Sequence, residues 1–155
     1  MWSFKRGRPT RFTDDRLGTL TRRRGGWLGS VELLPGVSVP CRLHGGRRGP
    51  GEAALALAGA LPGTYPGLAT GIGDALFEHL EPYRADPEDP ADDARILTPG
   101  QALALSEPVH VVIGPLGGRL TVEIGYRTPW DCEHTLGARF VDWQLVELNG
   151  SVTGH

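Results

Sequence analysis

Apolar and polar residues alternate in two separate parts of this chain, and a helical pattern lies between them. In the first part Trp27, Gly29, Val31 and Leu33 alternate with Leu28, Ser30, Glu32 and Leu34. Pro35-Gly36 then suits the centre of a type II turn, because proline fixes φ and glycine accepts the positive φ that follows. Val37, Val39, Cys41 and Leu43 next alternate with Ser38, Pro40, Arg42 and His44. In the second part Leu120, Val122, Ile124 and Tyr126 alternate with Thr121, Glu123, Gly125 and Arg127. Successive side chains on a strand point to opposite faces, so each run offers one face to a core and one to water. Strands grouped on both sides of a helical block predict an α+β fold with a largely antiparallel sheet.

Further strands are expected at Leu17–Arg23, closed by the turn Arg24-Gly25-Gly26, and at Val109–Ile113, followed by a turn over Pro115–Gly118. A last hairpin is expected from Thr135–Val141 and Leu145–Val152, with Asp142-Trp143-Gln144 near its turn. The sheet therefore has about six to seven strands. Pro40 lacks an amide hydrogen and belongs at an edge or a non-bonded site. The central block reads as two helices packed on one face of the sheet. The first, Glu52–Leu61, is rich in Ala and Leu and stops at Pro62-Gly63. The second runs from Gly67 to Tyr83 and carries Leu68, Ile72, Ala75, Leu76, His79, Leu80 and Tyr83 on one stripe, with His79 a satisfied residue at its border. Thr98-Pro99 reads as an N-cap followed by proline at the first helical position, so a short helix covers Gly100–Leu105.

A chain of 155 residues is long enough for one core. Residues 1–11 read as a flexible basic arm and residues 12–155 as a single domain. Within it, residues 85–95 (A-D-P-E-D-P-A-D-D-A-R) form an acidic flexible loop without the spacing of a calcium-binding hand. The loop G-G-R-R-G-P-G (residues 45–51) lacks the Lys-Ser/Thr of a phosphate-binding loop. Net charge is −2, which gives no overall attraction to nucleic acid or an anionic membrane. The four cations of the arm lack aromatic interleaving, so nucleic acid is not an expected partner. No secretory apolar segment follows the N-terminus and no run is long enough to span a bilayer, which points to the cytoplasm. Cys41 and Cys132 form no C-x-x-C pair and read as reduced thiols, although sequence alone leaves a bridge between them open.

The stretch with the most chemistry is T-P-W-D-C-E-H-T-L-G (residues 128–137). Pro129 ends the best strand, so Trp130, Asp131, Glu133 and His134 sit at a corner where side chains can converge. In extended backbone Asp131 and Glu133 point one way and His134 the other, and a turn is needed to gather all three. The two carboxylates can share a proton or grip a divalent cation, and His134 can act as a base oriented by Asp131. Asp131, Glu133 and His134 are therefore the candidate catalytic or metal-ligating set, with His44, His110 or Asp142 as remote ligands. Zinc hydrolase chemistry lacks its H-E-x-x-H spacing, and carboxylates beside Cys132 raise a thiol's pKa and do not activate it. The structural reading is equally physical: Asp131 accepts backbone amides in a local turn, His134 pairs with it, and Trp130 plugs the sheet edge. No cofactor is otherwise called for.

Phe12, Asp14, Gly18 and Leu20, then Trp27 and Gly29, the hairpin L-P-G-V-S-V-P, and above all W-D-x-E-H-x-L-G (Trp130 to Gly137) followed by L-V-E-L-N-G-S-V resemble a family of small bacterial domains of unknown function. The resemblance implies a bacterial cytoplasmic α+β domain and brings no reaction with it. By analogy with other small bacterial domains it implies an accessory or immunity-like protein. The expected function is non-enzymatic binding of another protein through Trp130, Asp131, Glu133 and His134. A cation-binding or hydrolytic role for the same residues is the alternative, and a homodimer would follow if the sheet left an apolar face exposed.

Overall fold

The computed structural model describes residues 10–84 and 96–150. Eight strands form one sheet whose spatial order repeats the sequence order: β1 (Arg11–Asp14), β2 (Gly18–Arg23), β3 (Gly26–Leu34), β4 (Val37–His44), β5 (Glu107–Leu116), β6 (Arg119–Arg127), β7 (Thr135–Val141) and β8 (Gln144–Asn149). All neighbours are antiparallel except β4 and β5, which run parallel with Cys41 opposite Val111 and Leu43 opposite Ile113. A parallel pair needs a crossover, and this one holds both helices, α1 (Glu52–Arg84) and α2 (Pro99–Leu105). Two four-stranded meanders thus meet at β4 and β5, giving an α+β protein with a mostly antiparallel sheet.

The expected six or seven strands become eight because Arg11–Asp14 is itself a strand. Its sequence, R-F-T-D, has too little periodicity to read alone. Phe12 anchors it by packing edge-on against Trp27, with ring centroids 6.2 Å apart. Arg11 therefore belongs to the sheet and not to the expected basic arm. The rest of that arm, residues 1–9, lies outside the described residues, as do the acidic segment 85–95 and residues 151–155.

The expected break at Pro62-Gly63 does not occur. A single α1 of 33 residues runs through Pro62, Pro66 and Pro82. Its buried positions, Ala54, Ala58, Leu61, Tyr65, Leu68, Ile72, Leu76 and Leu80, keep steps of three or four across the supposed stop. Pro62, Gly63, Pro66 and Gly67 are all exposed. Pro66 takes the partner from the carbonyl of exposed Pro62, whereas Pro62 takes it from the carbonyl of buried Ala58. An interior proline costs roughly 3 kcal/mol, while each large side chain fully buried contributes about 1.5–3 kcal/mol. Leu61, Tyr65, Leu68 and Ile72 would all leave the sheet if the helix broke, so packing outweighs the local penalty.

The stripe covers one face of the sheet and makes one core with Leu20, Trp27, Val31, Leu33, Val39, Leu43, Val111, Ile113, Val122, Ile124, Tyr126, Leu136 and Phe140. The Tyr65 and Tyr126 hydroxyls meet inside it at 2.7 Å. α2 begins as expected: Thr98 accepts from the Gln101 amide, and the Gln101 side chain accepts from the Thr98 amide, a complete capping box. It rests on α1 at Gly73, where any Cβ would lie 2.9 Å from the Pro99 carbonyl oxygen. Pro40 lies inside the sheet, one residue before β4 begins to pair with β5, so the parallel ladder contains no proline. The turn expected over Pro115–Gly118 tightens to Gly117-Gly118, with φ of 58° and 79°, and Pro115 joins β5. Cys41 is buried, Cys132 is exposed, and both are free thiols. Among the described residues, no helix is long and apolar enough to cross a membrane.

The face opposite the helices carries a row across the strands: Thr21, Leu28, Arg42, Val112, Glu123, Arg139 and Glu147. Glu123 is buried there although its neighbours on β6 already face the core. Arg139 neutralises it with a guanidinium nitrogen at 2.8 Å and pairs with Glu147 on the other side.

Candidate functional site

The connection between β6 and β7 folds back over the C-terminal end of α1. Trp130 is buried, and its Nε1 donates to Nδ1 of His79 at 3.1 Å. One helical turn later, the Tyr83 hydroxyl donates to Oδ2 of Asp131 at 3.0 Å. The His79 and Tyr83 rings lie 5.6 Å apart, so α1 offers two polar aromatic groups side by side and the corner answers with Trp130 and Asp131.

Asp131 is 6% exposed. Its Oδ1 accepts from the His134 amide at 3.2 Å, closing a local turn, and from His134 Nδ1 at 3.0 Å. Burial alone would raise the Asp131 carboxyl. The hydrogen bonds from His134 and Tyr83, with the neighbouring imidazole charge, outweigh it and hold the carboxyl below its ordinary value. Burial pushes the His79 imidazole down, opposed by the Asp131 charge and helped by His134. The neutral ring that results is the one that can accept from Trp130.

The turn decides which sequence candidates meet. It brings Asp131 and His134 together, where extended backbone would have opposed them, and leaves Glu133 exposed beside exposed Cys132. The expected pair of carboxylates does not form, because Asp131 turns inward to the helix while Glu133 turns outward. The remote candidates stay on other elements. His44 ends β4, Asp142 pairs with Arg119 at 3.6 Å in the β7–β8 turn, and His110 lies over Gly125 on β6. Among the described residues no group of three or more His, Cys, Asp or Glu is placed to hold a metal ion.

Chemically, Asp131 fixes the orientation of His134 through Nδ1 and leaves Nε2 as the free ring nitrogen, the posture of an oriented base. No described serine or cysteine is hydrogen-bonded to it. Beside His79 a groove of about 360 Å³ runs between α1 and β8, lined by Ala75, Glu78 and Leu145–Leu148. His79 and Tyr83 are the members of the site that the motif does not reveal. Their only signal was a place on the helical stripe, His79 at its border, and His79 is indeed satisfied there, by Trp130. No family model, curated protein or solved structure matches the chain.

Proposed function

We propose that the protein is a non-enzymatic binding domain, cytoplasmic and acting on another protein, which uses the corner at Trp130–His134 as a rigid display. The observation that carries this reading is the division of labour within four residues. Trp130 and Asp131 are spent inward on His79, Tyr83 and the local backbone, while Glu133 and His134 stand at the surface, and His79 itself lines the groove between α1 and β8. The His134 ring, held by Asp131, loses little freedom on binding, which suits recognition. The accessory or immunity-like role implied by the family resemblance belongs to the same reading.

The test is capture from an extract of the source cells with wild type and with a Glu133→Ala/His134→Ala variant. A discrete protein retained by the first and lost by the second, with equal melting temperatures, supports the reading. Equal retention would place the binding elsewhere. The second reading, a cation-binding or hydrolytic site, is favoured by one feature: a carboxylate that orients a histidine is also how proteins hold metal-binding imidazoles. A melting temperature raised by zinc, manganese or calcium in wild type but not in His134→Ala would replace the first reading with the second.

A further inference from the structure

The opposite end of α1 carries a different surface. The β2–β3 turn presents Arg23 and Arg24, and the loop after β4 presents Arg47 and Arg48, all four exposed. These pairs are more than twenty residues apart in sequence, and the fold ties them to one place. Gly26 pairs with His44, so the turn and the loop leave the sheet together. The Trp27 indole donates to the Gly46 carbonyl at 2.9 Å, and the loop is closed by Gly46 to Gly49 at 3.0 Å and by Gly51 to His44 at 2.8 Å. Arg42 donates to the Arg24 carbonyl at 2.8 Å and to that of Arg23, which pins the turn. Arg22 stands half-buried beside Trp27, and exposed Arg11 opens β1 opposite Thr21. None of Arg11, Arg22, Arg23, Arg24, Arg47 and Arg48 has a carboxylate partner among the described residues. Between Arg47, Arg48 and the start of α1 lies a groove of about 650 Å³ with an apolar floor of Phe12, Pro50 and Leu55 and one carboxylate, Glu52.

We propose that this end of the molecule docks an extended acidic segment of a partner protein, with an apolar side chain of that segment in the Phe12–Pro50–Leu55 groove and its carboxylates on Arg23, Arg24, Arg47 and Arg48. Charge complementarity selects the occupant. The chain's own residues 1–9 (M-W-S-F-K-R-G-R-P) are cationic and would be repelled. Its own acidic residues 85–95 begin at the far end of α1, a helix about 50 Å long at 1.5 Å per residue. Both ends of that segment are held there, since Arg84 donates to the Ile96 carbonyl. Eleven residues going out and back reach only about 20 Å. The same segment in a second copy could arrive, but A-D-P-E-D-P-A-D-D-A-R has no large apolar side chain for the groove. Nucleic acid fits less well. The groove's one aromatic ring, Phe12, is half-buried and already packed on Trp27, so it offers no stacking platform. Guanidinium forks on two fixed turns match carboxylates spaced along an extended chain.

The probe is a dye-labelled peptide, E-E-L-E-E-F-E-E, followed by fluorescence anisotropy at low salt. Saturable binding is expected, weakened about tenfold or more in Arg47→Glu/Arg48→Glu at an unchanged melting temperature, and weakened severalfold when alanine replaces the leucine and phenylalanine of the peptide. Four results would each overturn the proposal: no binding by wild type, equal binding by the charge-reversed variant, a DNA or RNA oligonucleotide of equal charge bound as tightly as the peptide, or a salt-sensitive dimer of the protein alone that the variant abolishes.

Discussion

Replacing Asp131 by alanine asks how much of the fold the corner holds. The carboxylate is 6% exposed and accepts from the Tyr83 hydroxyl, the His134 amide and the His134 ring. Hydrogen bonds to a charged group contribute about 1.5–3 kcal/mol each when buried. Here His134 is nearly half exposed, with 48% of its side chain open to water, so its two bonds belong near the bottom of the scale or below it. A loss of about 3 kcal/mol follows for the three together. Glu133, two residues on, is exposed and has no ion-pair or hydrogen-bond partner among the described residues, so Glu133→Ala should stay within about 0.5 kcal/mol of wild type. In urea, with a slope near 2 kcal/mol per molar, Asp131→Ala should lower the midpoint by about 1.5 M while Glu133→Ala leaves it in place. If both variants unfold together with wild type, the corner is an ornament on a fold held elsewhere, and the inward role assigned to Asp131 is wrong.

The pH profile should show His79. Its folded pKa is depressed below the ordinary value, so its contribution is fully present above about pH 6.5 and is lost as pH falls below that value. His79→Gln, which keeps an acceptor for Trp130 but cannot take up a proton, should lose less stability than wild type between pH 7 and about pH 5 in thermal melts. In the core, Tyr65→Phe or Tyr126→Phe should each cost about 1–2 kcal/mol by stranding the other hydroxyl, and the double variant should cost clearly less than their sum in a urea double-mutant cycle. Pro62→Ala should raise stability by about 1–3 kcal/mol and the melting temperature with it, because an exposed interior proline removes a helix hydrogen bond without packing against the sheet. A fall instead would mean that the helix needs the bend proline provides.

Alternation located three of the strands, β3, β4 and β6, short runs set off by turns located four more, and Thr98-Pro99 located the start of α2 because a cap is local chemistry. The continuity of α1 was not legible in the same way. Pro62-Gly63 is a local stop signal, whereas the pattern that overrides it, Leu61, Tyr65, Leu68 and Ile72 falling on one stripe, matters only once a sheet is there to receive them. Glu123 misled in a similar manner. It alternates as a polar residue facing water, yet it is buried because β7 supplies Arg139 opposite it. At the corner, the motif marked the right residues and the wrong grouping. Extended geometry paired Asp131 with Glu133. The folded chain pairs Asp131 with His134 by a turn and with Tyr83 from 48 positions earlier, and Trp130 with His79 from 51 positions earlier. Partners so distant are set by where α1 ends against the sheet, which no local pattern encodes.

The same non-locality changes what the net charge of −2 means. Near neutrality excludes an overall pull on a charged partner only if the charges are mixed. Here they are sorted along α1. Arg11, Arg22, Arg23, Arg24, Arg47 and Arg48 gather where the helix starts, with Glu52 beside them, and Glu78, Glu81 and Glu133 stand exposed toward its other end, with Arg84 beside Glu81. The helix is about 50 Å long, and charges in physiological salt are screened over about 8 Å. A partner approaching either end therefore meets the local sign and not the sum. The two ends can then act without interfering, and a net charge near zero does not by itself rule out electrostatic recognition at either of them.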